Sequence, residues 1–252
     1  MTTYGEQKFG LHCQELADFL SVTYVYTESG GMSAKVRQWM NRGIQRVANG
    51  VYRDGRGVVR SVLWTPLVKA LTVATAAADE SYDLPADLAE ILTSLGIATT
   101  GLKVDCATLD YINAAKSINA TMTGYPSRYA LRWNATTSRY ELVLWPTPAA
   151  IYSLAGYYRI KLPDYADVDG TGDTIALPGE FHEVLQSAAA AVAVSRHERA
   201  GMGGEQKEFD EFMERLAKTW AWIAPRQAHL NRELLTPDEA IPERLPIQPY
   251  EP

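Results

Sequence analysis

The chain has 252 residues, 46% of them hydrophobic and 21% charged, a balance close to that of ordinary globular proteins which excludes wholesale disorder and fibrous repeats. A formal net charge of -6 excludes a protein whose main task is gripping phosphates, because that takes clustered Lys and Arg. No apolar run reaches the roughly 18 residues that cross a bilayer, and the start MTTYGEQKFG has neither a basic segment nor an apolar signal core, so the expectation is a chain made and kept in a cytoplasm, without a membrane partner.

In chain order, Phe9, Cys13, Leu16 and Leu20 recur at helical steps and predict a short helix. A clearer one runs from Ser33, a plausible N-cap, to the stop at Asn49-Gly50, with Val36, Trp39, Met40, Gly43, Ile44 and Val47 as its packing stripe and Lys35, Arg37, Gln38, Arg42 and Arg46 off it. Residues 51–60, VYRDGRGVVR, read as a Gly-rich basic connection, and Val62 to Thr75 as one or two strands. At Leu84-Pro85 the preset proline φ predicts a short helix. Residues 127–146 alternate as a hairpin with one buried face: Tyr129, Leu131 and Trp133, then Tyr140, Leu142 and Leu144. A further strand, Ile151 to Leu162, follows Pro146 and Pro148, and together these give an antiparallel sheet.

After an acidic loop, Leu177-Pro178 repeats the proline start and opens an alanine-rich helix, Glu180 to Arg199, with Phe181, Val184, Leu185, Ala188, Val192 and Ala193 on one face. A second helix, Glu205 to Ile223, carries Phe209, Phe212, Met213, Leu216, Trp220 and Ile223, and Gly201-Met202-Gly203-Gly204 turns the chain so that the two pair as a hairpin. Beyond Ala224, six prolines punctuate a tail that cannot continue a helix and favours extended backbone, yet it keeps Leu234, Leu235, Ile241, Leu245, Ile247 and Tyr250, apolar residues suited to ordering on a partner. The expected fold is therefore α+β: a helical bundle from residues 1–60 and 177–225, an inserted antiparallel β-rich domain at 61–176, and an extended proline-rich tail at 226–252.

Chemistry-bearing patterns are sparse. His12, His182, His197 and His229 are scattered, without the short spacing that puts two imidazoles on one metal. Cys13 and Cys106 read as small core residues. Asp167, Asp169 and Asp173 resemble a calcium loop without its distal Glu, and a solvated acidic turn explains them as well. Glu180 and Glu183 beside His182 suit a helix start whatever their function. Phosphate-binding glycine motifs are absent, and the sequons at Asn119 and Asn134 matter only in a secreted chain. Arg53, Arg56 and Arg60, with Arg37, Arg42 and Arg46, are the densest basic set, able to face DNA or an acidic partner. No enzyme and no cofactor is expected.

The succession VRQWMNRGIQRV, YDLPADLAEIL, TGYPSRYALRW, ELVLWPTP, LAGYYRI and DTIALPGEFHEVLQSAAAAVA resembles the head-to-tail adaptor proteins of tailed bacteriophages, the group that includes the tail tubular A proteins of short-tailed phages. The likeness spans roughly residues 9 to 225 and rests on order and spacing. It implies a bundle of terminal helices around an inserted β domain. It also implies a ring, typically a dodecamer, below the portal protein, contacts with a tail or nozzle protein, and an axial channel through which genomic DNA passes without specific binding. The location implied is the virion neck, after assembly in the host cytoplasm. The tail residues Leu234 to Tyr250 are expected to bind the portal. The alternatives are another neck or tail ring component, such as a tail terminator or nozzle-like subunit, and more remotely a small hydrolase.

Overall fold

The structure is a computed structural model, described for residues 8–25, 30–166, 173–197 and 204–222. The helical part begins with α1 (Phe9–Phe19) and α2 (Gly31–Asn49). The predicted α2 stripe is buried along its whole length. Gly30, not Ser33, precedes the helix, because Ser33 is buried and its hydroxyl accepts the Val25 N–H at 3.0 Å. The predicted stop holds: Gly50 adopts the left-handed conformation at φ 68° and returns its N–H to the Val47 carbonyl. A Cβ on Gly50 would stand 1.8 Å from the Val62 carbonyl oxygen, so the close approach of the next segment also requires glycine.

From α2 the chain enters a hairpin, β1 (Val51–Arg53) and β2 (Val59–Ser61), in antiparallel register with Tyr52 opposite Arg60. Residues 51–60 are thus paired strands rather than a plain connection; the turn chemistry of Asp54 and Gly57, described below, closes them. After a 3-10 turn at Thr65–Leu67 come β3 (Val68–Ala74), β4 (Ser81–Asp83), β5 (Leu88–Ile91), β6 (Leu95–Ile97), β7 (Lys103–Cys106), α3 (Leu109–Ile118), β8 (Thr123–Gly124), β9 (Arg128–Asn134), β10 (Arg139–Trp145), β11 (Thr147–Pro148) and β12 (Ser153–Ile160). The chain returns through a 3-10 turn at Gly179–Phe181 to α4 (His182–His197) and α5 (Glu205–Trp220).

Eight strands form one sheet in the order β3-β12-β6-β7-β9-β10-β4, with β5 also on β12. The sheet is mixed, not purely antiparallel as expected, because β7 and β9 run parallel, joined through α3. The predicted hairpin is β9–β10, with Leu131 opposite Leu142. Its burial differs from the expectation of one buried face. Glu141 to Trp145 are buried without alternation, since α3 covers the second face with Ile112 against Ala130, Val143 and Trp145. Trp133 and its cross-strand partner Tyr140, both expected inside, are exposed at the turn end of the hairpin, their rings 5.2 Å apart, beyond Leu131 and Leu142, which pack on the main core. The short helix expected at Pro85 is instead a turn, with the Leu88 N–H on the Pro85 carbonyl, leading into β5. Pairing of β5 with β12 overrides the local proline signal. Cys106, expected in the core, ends β7 and is exposed, whereas Cys13 is buried. Pro146 follows a cis peptide bond between β10 and β11, a connection as expected.

One hydrophobic core runs from α1, α2, α4 and α5 into the sheet. α4 lies against α2 closely enough that a Cβ on Gly43 would come 2.7 to 2.9 Å from the Ala189 backbone and Cβ, which is the use of small residues on these two helices. Asn41 of α2 makes a two-way amide bond with Tyr165, N–H to carbonyl and carbonyl to N–H at 2.9 Å each, and Gln45 donates to the Leu162 carbonyl, so the segment leaving β12 is tied to the helices. α5 packs on α4 with Phe209, Met213 and Leu216 inward. The two helix-core tryptophans separate here. Trp39 is buried, whereas Trp220 is half-buried at the end of α5, 6.0 Å from the Phe181 ring. Trp39→Ala is expected to cost about 3 kcal/mol and Trp220→Ala about 1 to 2 kcal/mol, in proportion to the surface each hides. Equal shifts in thermal melts of the two variants would contradict this ordering.

Candidate functional site

The basic set falls partly on the β1–β2 hairpin, and Asp54 builds that hairpin's turn. Its carboxylate accepts the N–H groups of Arg56 at 3.0 Å and Val58 at 2.9 Å and the Arg60 guanidinium at 2.9 Å. These bonds, the Val58 N–H first, hold its pKa below the usual carboxylate value. Gly57 takes the left-handed φ of 78° that the turn needs. α5 secures the hairpin from below: Asp210 accepts the Arg53 N–H at 3.1 Å and Glu214 the Gly55 N–H at 3.0 Å. Arg53, Arg56 and Arg60 are all exposed and are brought together. They stand among Asp54, Asp210 and Glu214, so the patch carries nearly balanced charge rather than the surplus that grips a phosphate backbone. Val51, Val58 and Val59 are exposed beside them, giving the hairpin an apolar as well as a cationic surface. Of the other arginines, Arg46 stacks over the Phe209 ring at 4.3 Å and Arg37 over Tyr24 at 5.9 Å; both serve packing within the fold.

The structure also assembles what the spacing of histidines did not suggest. His12 and Glu15 of α1 meet His182 at the start of α4, with the two rings 4.7 Å apart and the His182 Nε2 3.1 Å from the Glu15 carboxylate. Burial, and secondarily the nearby His182, lower the His12 pKa to about 4, so its imidazole is neutral at pH 7. Gln186, one turn along α4, reaches both His12 and Glu15. Glu183 pairs across to Arg215 of α5, and Glu180 is exposed at the 3-10 turn. A pair of residues so far apart in the chain leaves no local signal, and this cluster was not legible as a motif.

Leu234, Leu235, Ile241, Leu245, Ile247 and Tyr250 lie outside the described residues, as do Asp167 and Asp169 of the acidic loop. Asp173 serves structure: its carbonyl accepts the Phe9 N–H at 2.8 Å and its carboxylate the Ala166 N–H at 3.1 Å. Among the described residues no helix is long and apolar enough to cross a membrane.

A family model described as the SU10 adaptor protein matches residues 13–231, from within α1 to beyond α5. The chain belongs to the SU10 adaptor protein family. It is a phage adaptor-type protein, a structural component of the virion neck, and the adaptor family is not a class of enzymes. Comparison with curated proteins gives no match. Within this family the landmarks read from the sequence, α2, the β9–β10 hairpin, β12 and α4, all fall inside the matched span.

Proposed function

We propose that the chain is a subunit of a head-to-tail adaptor ring, a counterpart of the tail tubular A proteins, that docks on the portal and joins it to a tail or nozzle protein. The family match across both helical ends and the intervening sheet carries this reading. In it, residues 1–60 and 177–225 are the bundle that packs around the ring, 61–176 the inserted β-rich part and 226–252 the docking tail. The ring is a dodecamer assembled in the host cytoplasm and retained at the head–tail junction. Two features support a channel through which DNA slides without specific binding. The net charge of -6 repels a phosphate backbone, and the arginines of the β1–β2 hairpin are matched by carboxylates. Electron microscopy of the purified protein mixed with its cognate portal is expected to show a closed ring with heterologous, head-to-tail contacts seated on the portal. Two-fold dimers, or no complex, would refute the reading.

A further inference from the structure

We propose that His12, Glu15 and His182 form a site for a divalent transition metal, zinc foremost, that ties α1 to the start of α4. Two imidazoles and a carboxylate are a sufficient protein set for tetrahedral zinc, with water in the fourth position. Imidazole nitrogen favours zinc, nickel, copper or cobalt over magnesium and calcium. His12 and Glu15 stand three residues apart on α1 and so share one helix face, while His182 arrives on a separate helix. One ligand atom from each of the three lies within 4.8 Å of the others, and the Glu15–His182 pair is at 3.1 Å. Ligands held at about 2.0 to 2.2 Å in a tetrahedron are about 3.4 Å apart, so the widest side of the triangle closes by no more than about 1.4 Å, within reach of side-chain rotation.

Gln186 links two of the three groups. Its amide nitrogen lies 2.8 Å from Glu15 Oε2, 3.1 Å from the His12 carbonyl oxygen and 3.0 Å from His12 Nδ1. With a metal bound, Gln186 becomes the outer partner that orients Glu15 and His12. The site is accessible: a cleft of about 220 Å³, lined by Glu15, Gln186 and Glu208 among apolar side chains, opens beside it. The carboxylates of Glu15 and Glu208 in its lining favour entry of a cation.

The test is calorimetric titration of the untagged full-length protein with zinc sulfate, alongside thermal melts. The expected result is saturable binding of one ion per chain and, with zinc at about a hundred times Kd, a thermal midpoint raised by roughly 5 to 10 °C. His182→Asn and Glu15→Gln, both at partly exposed positions, should each weaken binding by at least about tenfold and abolish the thermal shift. His197→Asn and His229→Asn should bind as the parent does. Cobalt(II) gives a second readout, independent of stability: the parent is expected to show the intense visible bands of a tetrahedral nitrogen and oxygen site, and the two ligand variants to lose them. No saturable binding up to millimolar zinc, or binding undiminished in both folded ligand variants, overturns the assignment.

Discussion

Trp64→Ala is expected to cost about 4 to 5 kcal/mol and to lower the thermal midpoint by roughly 10 to 20 °C, the largest effect of any single side-chain truncation considered. Trp64 is fully buried where four parts of the chain converge. Its indole N–H donates to the Val47 carbonyl at 2.6 Å, in the last turn of α2. Its ring meets Phe181 edge-on at 5.2 Å, and Phe181 in turn meets Trp220. Its backbone bridges Ala221, while the neighbouring Leu63 carbonyl accepts the Trp222 N–H at 2.6 Å. Truncation therefore opens a cavity between α2, the start of α4 and the end of α5 at once, and removes a buried hydrogen bond besides. The Val47 carbonyl keeps the Gly50 N–H, which limits the polar part of the cost. A loss near that of a half-buried aromatic, about 1 to 2 kcal/mol in denaturant unfolding, would show that this junction is not where the helices are held together.

Trp64 also shows where sequence reading stops. The helix faces were legible because packing against one neighbour repeats at 3.6 residues, and α2 and α5 carry that repeat cleanly. The β9–β10 hairpin was legible from its two apolar runs around a polar turn. What escaped is decided by tertiary partners. α3 buries the second face of β10, so alternation gives way to a continuous buried run there, while Trp133, which fits the alternation, ends exposed. Pro85 carries a good helix-start signal, but the strand partner offered by β12 wins. Trp64 sits in no periodic stripe, because its contacts come from elements far apart in the chain, and the His12–Glu15–His182 cluster is hidden for the same reason. Cys106 fails in the opposite sense: a small apolar residue at a strand end is left at the surface.

Ending the chain at Arg226 is expected to leave a folded protein that no longer joins portals. The six anchors proposed for portal binding, Leu234, Leu235, Ile241, Leu245, Ile247 and Tyr250, all lie beyond residue 231, where the family match ends. Prolines at 225, 237, 242, 246, 249 and 252 restrict the free segment and so lower the entropy lost when it orders, while the spaced apolar residues supply the surface to be buried. At about 3.3 to 3.6 Å per residue, the deleted stretch could reach up to roughly 90 Å, past one subunit to its neighbours on the portal. Contacts of that kind are individually modest and add around a ring through effective concentration, so removing all of them together should abolish the complex rather than weaken it slightly. Circular dichroism and thermal melting establish that the truncated chain is folded, and co-sedimentation with the cognate portal reads the outcome. A truncated protein that sediments with portals as the full chain does would move the anchor to the helices and make the exposed Val51, Val58 and Val59 of the β1–β2 hairpin the next surface to substitute.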